Sequence, residues 1–587
     1  MTYRAPVAEI AFMAKTFGLD SLLKDGLAPE LADDLADAVL EEAGKFATDR
    51  IATLNQIGDQ IGNRFEDGVV TTAPGWKETY RDWAEGGWNG LTAPSEHGGQ
   101  ALPQLLQTAC SEMWTSASMA FMLGPMLTTG AVDALVAHGS DELKKIYLDR
   151  LVSGEWMGTM NLTEPHAGSD VGALKTRAER SSDGSYRISG QKIYITYGEH
   201  DLTDNIIHLV LARLPDAPQG TRGISLFLVP KFLVNPDGTL GARNDVRCAG
   251  LEHKLGIHAS PTCTMIYGDQ GGAIGYLIGE ENRGLNCMFT MMNSARLGVG
   301  LQGVAIAERA YQLALTYASE RKQGRALGST ADGMSAIIAH PDVRRMLMLM
   351  RSRTDAARAI CYMTAAAMDR SHRETDPEKR KASEERAALL TPIAKAWSTD
   401  IGIEVASLGI QVHGGMGFIE GSGAAQHLRD ARIAAIYEGT NGIQAIDLVT
   451  RKLPLSNGDA VRSLFGEMHA TLKALKASNL PGFGSSADKL SEAMAALKAA
   501  TLWMAKALKE RTEEALASAT PYQTLFGTTL GGINLVRAAL ADPSDKHIAT
   551  ARFFAEQIAP EVQSLSRTVT EGATALSNID SVLLASA

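Results

Sequence analysis

The strongest constraint on the fold is that the hydrophobic periodicity of the chain changes twice. From Leu35 to about Met157 apolar residues recur at helical spacing, as in the runs 105–122 and 131–152, the second with Glu142, Lys144 and Lys145 on a wet face. Glycine and proline clusters at 86–103 interrupt it. From about Gly158 to Ile278 short β-branched runs take over, at 186–195, 206–212, 223–229 and 263–267, separated by Gly, Pro, Asn and Asp. From Gly284 to Lys452 long helical patterns return; one covers 340–369, with Met346, Leu347, Leu349 and Met350 on its apolar side. That methionine-rich stripe reads as core filler. The charged stretch 369–386 reads as a solvated turn or helix end. After a break at 454–459 a last helical segment follows, punctuated at 481–486, 542–544 and Pro560. There is no internal repeat. The order predicts an α+β chain: an arm over 1–35, a helical domain over 36–157, a β domain over 158–278, a helical domain over 279–455 and an extra C-terminal helical domain over 460–587.

Composition enters mainly as exclusion. A chain of 587 residues is too long for one core. Its net charge of −11 argues against bulk nucleic-acid binding. The five cysteines, Cys110, Cys248, Cys263, Cys287 and Cys361, are scattered and lack CxxC spacing, so they read as reduced core residues and not as a disulfide frame or metal site. No apolar run reaches the eighteen or so residues that span a bilayer. The first nineteen residues lack a basic start and a long apolar stretch, so no targeting peptide is expected. These readings predict a cytoplasmic protein.

The chemistry is signalled most clearly at 436–444, Ile-Tyr-Glu-Gly-Thr-Asn-Gly-Ile-Gln. Glu438 follows an apolar run and precedes a glycine. Burial raises a glutamate pKa, and such a base can remove a weakly acidic C–H proton near neutral pH. Alone, a Glu-Gly pair is an ordinary solvated helix end. Three further motifs accompany it. Residues 162–170 read Leu-Thr-Glu-Pro-His-Ala-Gly-Ser-Asp, where Gly168 and Ser169 offer N–H groups and a hydroxyl in a tight turn. A strand-like segment follows at 188–196, and Gln-Val-His-Gly-Gly-Met-Gly-Phe occupies 411–418.

Together with Gly-Trp-Asn-Gly-Leu-Thr-Ala-Pro-Ser-Glu-His-Gly-Gly at 87–99 and the stretch 320–325, these motifs resemble the acyl-CoA dehydrogenase family of flavoproteins, over roughly residues 36–455. The resemblance implies an N-terminal helical domain, a middle β domain and a helical bundle domain, here with the extra C-terminal helical domain. It implies FAD held by Met160, Leu162, Thr163, Gly168, Ser169, Tyr194 and Thr196, with Thr196 near the flavin N5. Tyr194 stands where the family has Trp. Arg321 matches an arginine that reaches the cofactor of a neighbouring subunit, and a guanidinium suits a pyrophosphate. The residues after it, Lys322-Gln323-Gly324, depart from the usual Phe-Gly. Gln411, Gly414 and Gly415 match the segment against adenosine and pyrophosphate, and Thr440 the flavin edge beside the base. Asn441-Gly442 departs from the family pattern after that threonine.

The resemblance makes Glu438 the catalytic base and places Ser169, Asn293, Arg296 and Gly439 against the acyl-CoA thioester. Some members carry the base one residue before the arginine of an earlier helix. That position is Ala295 here, which cannot serve. The implied partners are an electron-transfer flavoprotein and further copies of the chain, as a homodimer or tetramer, with no metal, nucleic acid or membrane. The start of the chain, Met1-Thr-Tyr-Arg-Ala-Pro-Val-Ala-Glu-Ile-Ala-Phe12, and the C-terminal extension resemble a long bacterial group within the family. That group acts on 3-methylmercaptopropionyl-CoA in dimethylsulfoniopropionate degradation and also includes general acyl-CoA dehydrogenases.

Three alternatives stay open. One is a DNA-associated flavoprotein of this fold, against which residues 457–587 carry twelve Lys plus Arg and thirteen Asp plus Glu. Another is a membrane-associated long-chain enzyme using the apolar face of 490–508 with Trp503, although that face is expected to pack on the core or a partner. The last is a flavin oxidase.

Overall fold

The computed structural model describes residues 3–31, 34–328, 330, 332–576, 579 and 583; Met1 and Thr2 of the N-terminal start, and parts of 577–587, lie outside them. Helices α1 (Val7–Ala14), α2 (Leu35–Phe46), α3 (Trp76–Glu85), α4 (Gln104–Ala117) and α5 (Met119–His138) precede the β region. The run over 105–122 is two helices. Ser118 leaves helical geometry at φ −158°, ψ 105°, ends α4 and caps α5 by accepting Phe121 N–H at 3.4 Å. Helix α5 is the one described helix long and apolar enough to cross a membrane, and 78% of that window is buried inside the protein.

The β region is an eight-stranded sheet. Its strands are β1 (Met157–Asn161), β2 (Arg177–Arg180), β3 (Tyr186–Thr196), β4 (Ile206–Arg213), β5 (Ile224–Pro230), β6 (Val246–Leu251), β7 (Thr262–Tyr267) and β8 (Ala273–Ile278). The order is β6-β7-β3-β8-β5-β4-β1, with β2 alongside β3 and β4. Four of these strands coincide with the β-branched runs. The other four are short and half-polar, and their periodicity is too brief to stand out. Between Cys263 and Met265 the register of β7 against β3 shifts, because β3 carries one extra residue at 193–194. That bulge frees Tyr194 from the ladder.

Three long helices follow: α6 (Gly284–Glu320), α7 (Pro341–Arg373) and α8 (Pro377–His413). The stretch 369–386, expected as a solvated turn or helix end, does contain the end of α7 at Arg373 and is mostly exposed from 375 on, but its start is buried. Only 374–376 leaves helical structure, and Asp376 caps α8 by accepting Glu378 N–H and Lys379 N–H. Asp369 is 2% exposed, and its carboxylate accepts Gln104 N–H and Leu105 N–H at 2.7 and 2.8 Å. It satisfies the N-terminus of α4, whose own cap residue, Pro103, offers no side-chain acceptor. Beyond a short helix at Ala424–Ala431 lie α9 (Asn441–Asp447), α10 (Asp459–Ser478), α11 (Ser486–Glu510), α12 (Ala519–Ala541), α13 (Asp545–Gln557) and α14 (Glu561–Glu571), with a further short helix at Thr512–Ala517.

The arm, the early helices, α6–α8 and the C-terminal helices share one hydrophobic core, running from Tyr3 and Phe17 through Trp114 and Trp397 to Phe526 and Phe554. The β region holds two separate clusters, one of which also takes in parts of α5 and α6. In α11 the face with Leu490, Met494, Leu497 and Met504 is buried, and Trp503 packs against the core with Arg511 over its ring.

Candidate active site

The site begins where two helices touch through their backbones. A Cβ at Gly300 of α6 would lie 2.5 Å from Ala394 O of α8, and one at Gly303 would lie 2.1 Å from Ser398 O. Only glycine permits that approach. Farther along, Gly409 lies against Ala310 and His413 stacks on Tyr317 at 4.4 Å, so the two helices run parallel. The crossing sets Arg296 of α6 and Lys395 of α8 beside the turn 436–440.

In that turn Glu438 has φ +55° and Gly439 φ +81°. A left-handed backbone costs a non-glycine residue roughly 1–2 kcal/mol. Such strain collects at functional positions. Gln444 Nε2 donates to Glu438 O at 3.1 Å, and the Thr440 hydroxyl accepts Ile443 N–H at 3.3 Å to cap α9. The Glu438 N–H makes no hydrogen bond among the described residues.

Glu438 is half-buried, yet its carboxyl is surrounded by enough protein that burial pushes it up to about 7. The Arg296 guanidinium opposes that rise most, then Lys395. Burial also lowers Arg296, against the pull of Asp447 and Glu438, and its buried Nε has no hydrogen-bond partner among the described residues. Lys395 is 0% exposed; burial holds its ammonium down at about 8. The Tyr437 hydroxyl donates to Gln302 Oε1, and Gln302 Nε2 reaches Met126 Sδ at 3.7 Å. This bridge joins the residue before Glu438 to α6 and α5.

A second group sits on the β region. Met160, Leu162, Thr163 and Thr196 are half-buried, while Gly168 and Ser169 are exposed. Tyr194, at φ +61°, is 60% exposed, an unusual state for an aromatic ring. Its loop is fastened from behind by residues that motif reasoning passed over. Ile193 N–H pairs with Thr163 O at 2.9 Å. Lys192 Nζ donates to Leu162 O and to Glu164 Oε1, both at 2.9 Å, and Glu164 also accepts Lys175 N–H, Thr176 N–H and the Thr176 hydroxyl. The far end of β3 docks on α5, where the Tyr197 hydroxyl donates to Ala120 O at 2.9 Å.

Not every expected residue joins these groups. Asn293 is exposed on α6, one turn before Arg296. Arg321 follows the last residue of α6, so it lies roughly 37 Å from Arg296 at 1.5 Å per residue. Gln411, Gly414 and Gly415 end α8 at that same distant end, all exposed, and Phe418 beside them is 87% exposed. Within one chain, Arg321, Gln411, Gly414 and Gly415 form a cluster apart from Glu438. Gln302, Lys395 and Asn441 belong to the Glu438 group but carried no motif. Only the wrong-looking Asn441-Gly442 departure hinted at one of them.

Comparison with known proteins covers this whole arrangement. Family models match in order: "Acyl-CoA dehydrogenase, N-terminal domain" over 34–155, "Acyl-CoA dehydrogenase, middle domain" over 159–269, "Acyl-CoA dehydrogenase, C-terminal domain" over 282–453 and "Acetyl-CoA dehydrogenase C-terminal like" over 464–580. The chain is 45% identical to 3-methylmercaptopropionyl-CoA dehydrogenase of Ruegeria pomeroyi, covering 97% of this chain and 98% of the relative. It is 35% identical to a butyryl-CoA dehydrogenase of Syntrophomonas wolfei, covering 90% of each. Caenorhabditis elegans ACDH-11, solved in complex with C11-CoA, shares the fold at a TM-score of 0.77 and 20% identity, over 97% of this chain and 95% of that one.

Proposed function

The chain belongs to the acyl-CoA dehydrogenase family, and within it we propose that Glu438 is the base that opens the oxidation of a short acyl-CoA thioester, foremost 3-methylmercaptopropionyl-CoA to methylthioacryloyl-CoA. The family cofactor is FAD. The residues here fit it. Tyr194 offers a bare aromatic face, and a Cβ at Gly168 would meet nothing nearer than Thr163 at 4.0 Å. Added Cβ atoms at Gly414 and Gly415 would meet nothing within 4 Å. Met160, Leu162, Thr163, Ser169, Tyr194 and Thr196 would hold the ring and pyrophosphate.

FAD, when bound, supplies the acceptor for a hydride. The protein does the rest. Glu438 takes the α-proton from the thioester as the β-hydrogen leaves with its electron pair, and a double bond forms between the two carbons. The unpaired Glu438 N–H is available to the thioester carbonyl, where it would stabilise the developing negative charge. Arg296 keeps part of the carboxyl ionised at neutral pH, and Gly439 gives the substrate close access to the turn. Asn293 and Ser169 flank the CoA side. Electron-transfer flavoprotein is the proposed oxidant of the reduced enzyme.

One observation carries the short-chain reading. Two relatives aligned over 90% or more of this chain are named for short acyl groups, 3-methylmercaptopropionyl-CoA and butyryl-CoA. The thioether itself is supported by the Ruegeria pomeroyi relative. Sulfur replaces a methylene with little change of shape, and one methylene in an apolar pocket is worth about 1–3 kcal/mol. A panel of CoA thioesters, scored by anaerobic bleaching of the flavin, tests this. The sulfur substrate, butanoyl-CoA and pentanoyl-CoA should be best and nearly equal. A higher kcat/KM for palmitoyl-CoA than for every short thioester would replace the short-chain reading with the long-chain one.

A further inference from the structure

Among the described residues, Lys395 is the one fully buried ammonium beside the proposed base, and no motif assigns it a task. It enters the site because α8 lies backbone to backbone on α6 at Gly300 and Gly303. Its Nζ donates to Asn441 Oδ1 at 2.8 Å. Asn441 is the first residue of α9, three positions after Glu438. The same asparagine is held by three more contacts to α8. Its Nδ2, with two N–H groups, faces three acceptors: Ala396 O at 3.1 Å, the Thr399 hydroxyl at 3.0 Å and Asp400 Oδ1 at 2.7 Å. The turn that carries the strained Glu438 is therefore clamped on one side by Asn441 and on the other by the Tyr437–Gln302 hydrogen bond. A lysine has three N–H donors, and among the described residues this one places a single hydrogen bond on the clamp.

A buried ammonium is costly unless it is used. A purely structural role would be served by a neutral donor. What distinguishes Lys395 is the direction of its charge. Glu438 is the largest charged influence on Lys395, and Lys395 is second only to Arg296 among the charges acting on Glu438. The other ionisable groups around the pair are Arg296 of α6, Asp400 of α8, Asp447 of α9, Arg451 just beyond it and Tyr437 of the turn itself.

We propose that Lys395 is a positioning residue for the reaction: through Asn441 it fixes the turn that presents Glu438, and its charge holds the carboxylate ready to accept a proton. The proposal rests on Glu438 being the base. Two substitutions separate its halves. Lys395→Gln keeps an N–H donor for Asn441 and removes the charge. Asn441→Ala keeps the charge and removes the clamp.

The readout is the single-turnover rate of flavin bleaching by butanoyl-CoA, measured from pH 5.5 to 9 on FAD-loaded enzyme. In Lys395→Gln the rising limb of the profile should move up by about one unit, since a nearby opposite charge lowers a carboxyl by about that much or more. FAD content should stay unchanged. In Asn441→Ala the plateau should fall about tenfold or more with the midpoint in place, since a small misplacement of a reacting group is expensive. A Lys395→Gln midpoint equal to wild type overturns the electrostatic half, and an unchanged Asn441→Ala plateau overturns the clamp. Glu438→Gln is run alongside. If that variant still bleaches at the wild-type rate, the base assignment itself has failed; if it is inactive while Lys395→Gln is unshifted, only the role of Lys395 has failed.

Discussion

Glu438 must meet two opposed demands: a base strong enough to pull a C–H proton, and one that is ionised at working pH. Burial supplies the first and the cations Arg296 and Lys395 the second, with the balance at about 7. That balance has a stability signature. An unfolded glutamate titrates at about 4.3, so between about 4.3 and 7 the folded state binds the extra proton. Stability contributed at this position is therefore highest below the unfolded pKa and declines as pH rises through the folded one. Glutamine has no such term. Apo-protein carrying Glu438→Gln should gain on wild type as pH rises from 4.5 to 7.5, by on the order of 3 kcal/mol. Denaturant midpoints at the two pH values measure it, and a pH-independent difference would mean the carboxyl is not held away from water. Glu438 was legible in sequence because its motif is local. Lys395 was not: it sits in the middle of a helical pattern where a lysine reads as a solvated face, and only the contact with a distant turn gives it meaning.

Elements carry the next layer. The long helices and the four strongest strands were readable because their periods persist. The crossing of α6 and α8 was not, since Gly300 and Gly303 look like mere weak points in a helix until the partner backbone is placed against them. The same holds for the β3 bulge. A strand over 186–196 was evident, but the extra residue that turns Tyr194 outward appears only once β7 sets the register. Asp369 inverted its expected role for a related reason. Its neighbours in sequence are charged, but its neighbour in space is the uncapped start of α4.

At the scale of the molecule, the separation of the two clusters on α6 is the informative fact. Arg321, Gln411, Gly414 and Gly415 lie too far from Glu438 to serve the same cofactor in one chain, so they are expected to serve the cofactor of a second copy. Arg321→Ala should then release FAD more readily and loosen the oligomer, with a loss of about 1.5–3 kcal/mol for one charge-assisted contact. Flavin retained after dialysis and mass in solution by light scattering are the two readings. Wild-type values for both would make Arg321 a surface cation. The family motifs made the cluster legible one residue at a time, but the distance between its parts required the fold. The C-terminal helices, readable only as an extra segment, share the main core with α7 and α8, where Trp397 lies against Gly527 and Gly531.

The most direct test of the whole account is anaerobic mixing of FAD-loaded wild type and Glu438→Gln with 3-methylmercaptopropionyl-CoA in a stopped-flow spectrometer. Wild type should bleach its flavin in one turnover. The variant should bind FAD and thioester yet reduce the flavin at least about 10²–10⁴-fold more slowly, the usual cost of losing a positioned base. Bleaching of the variant at the wild-type rate, or a wild-type enzyme that stays yellow with this and every other short thioester, would contradict it.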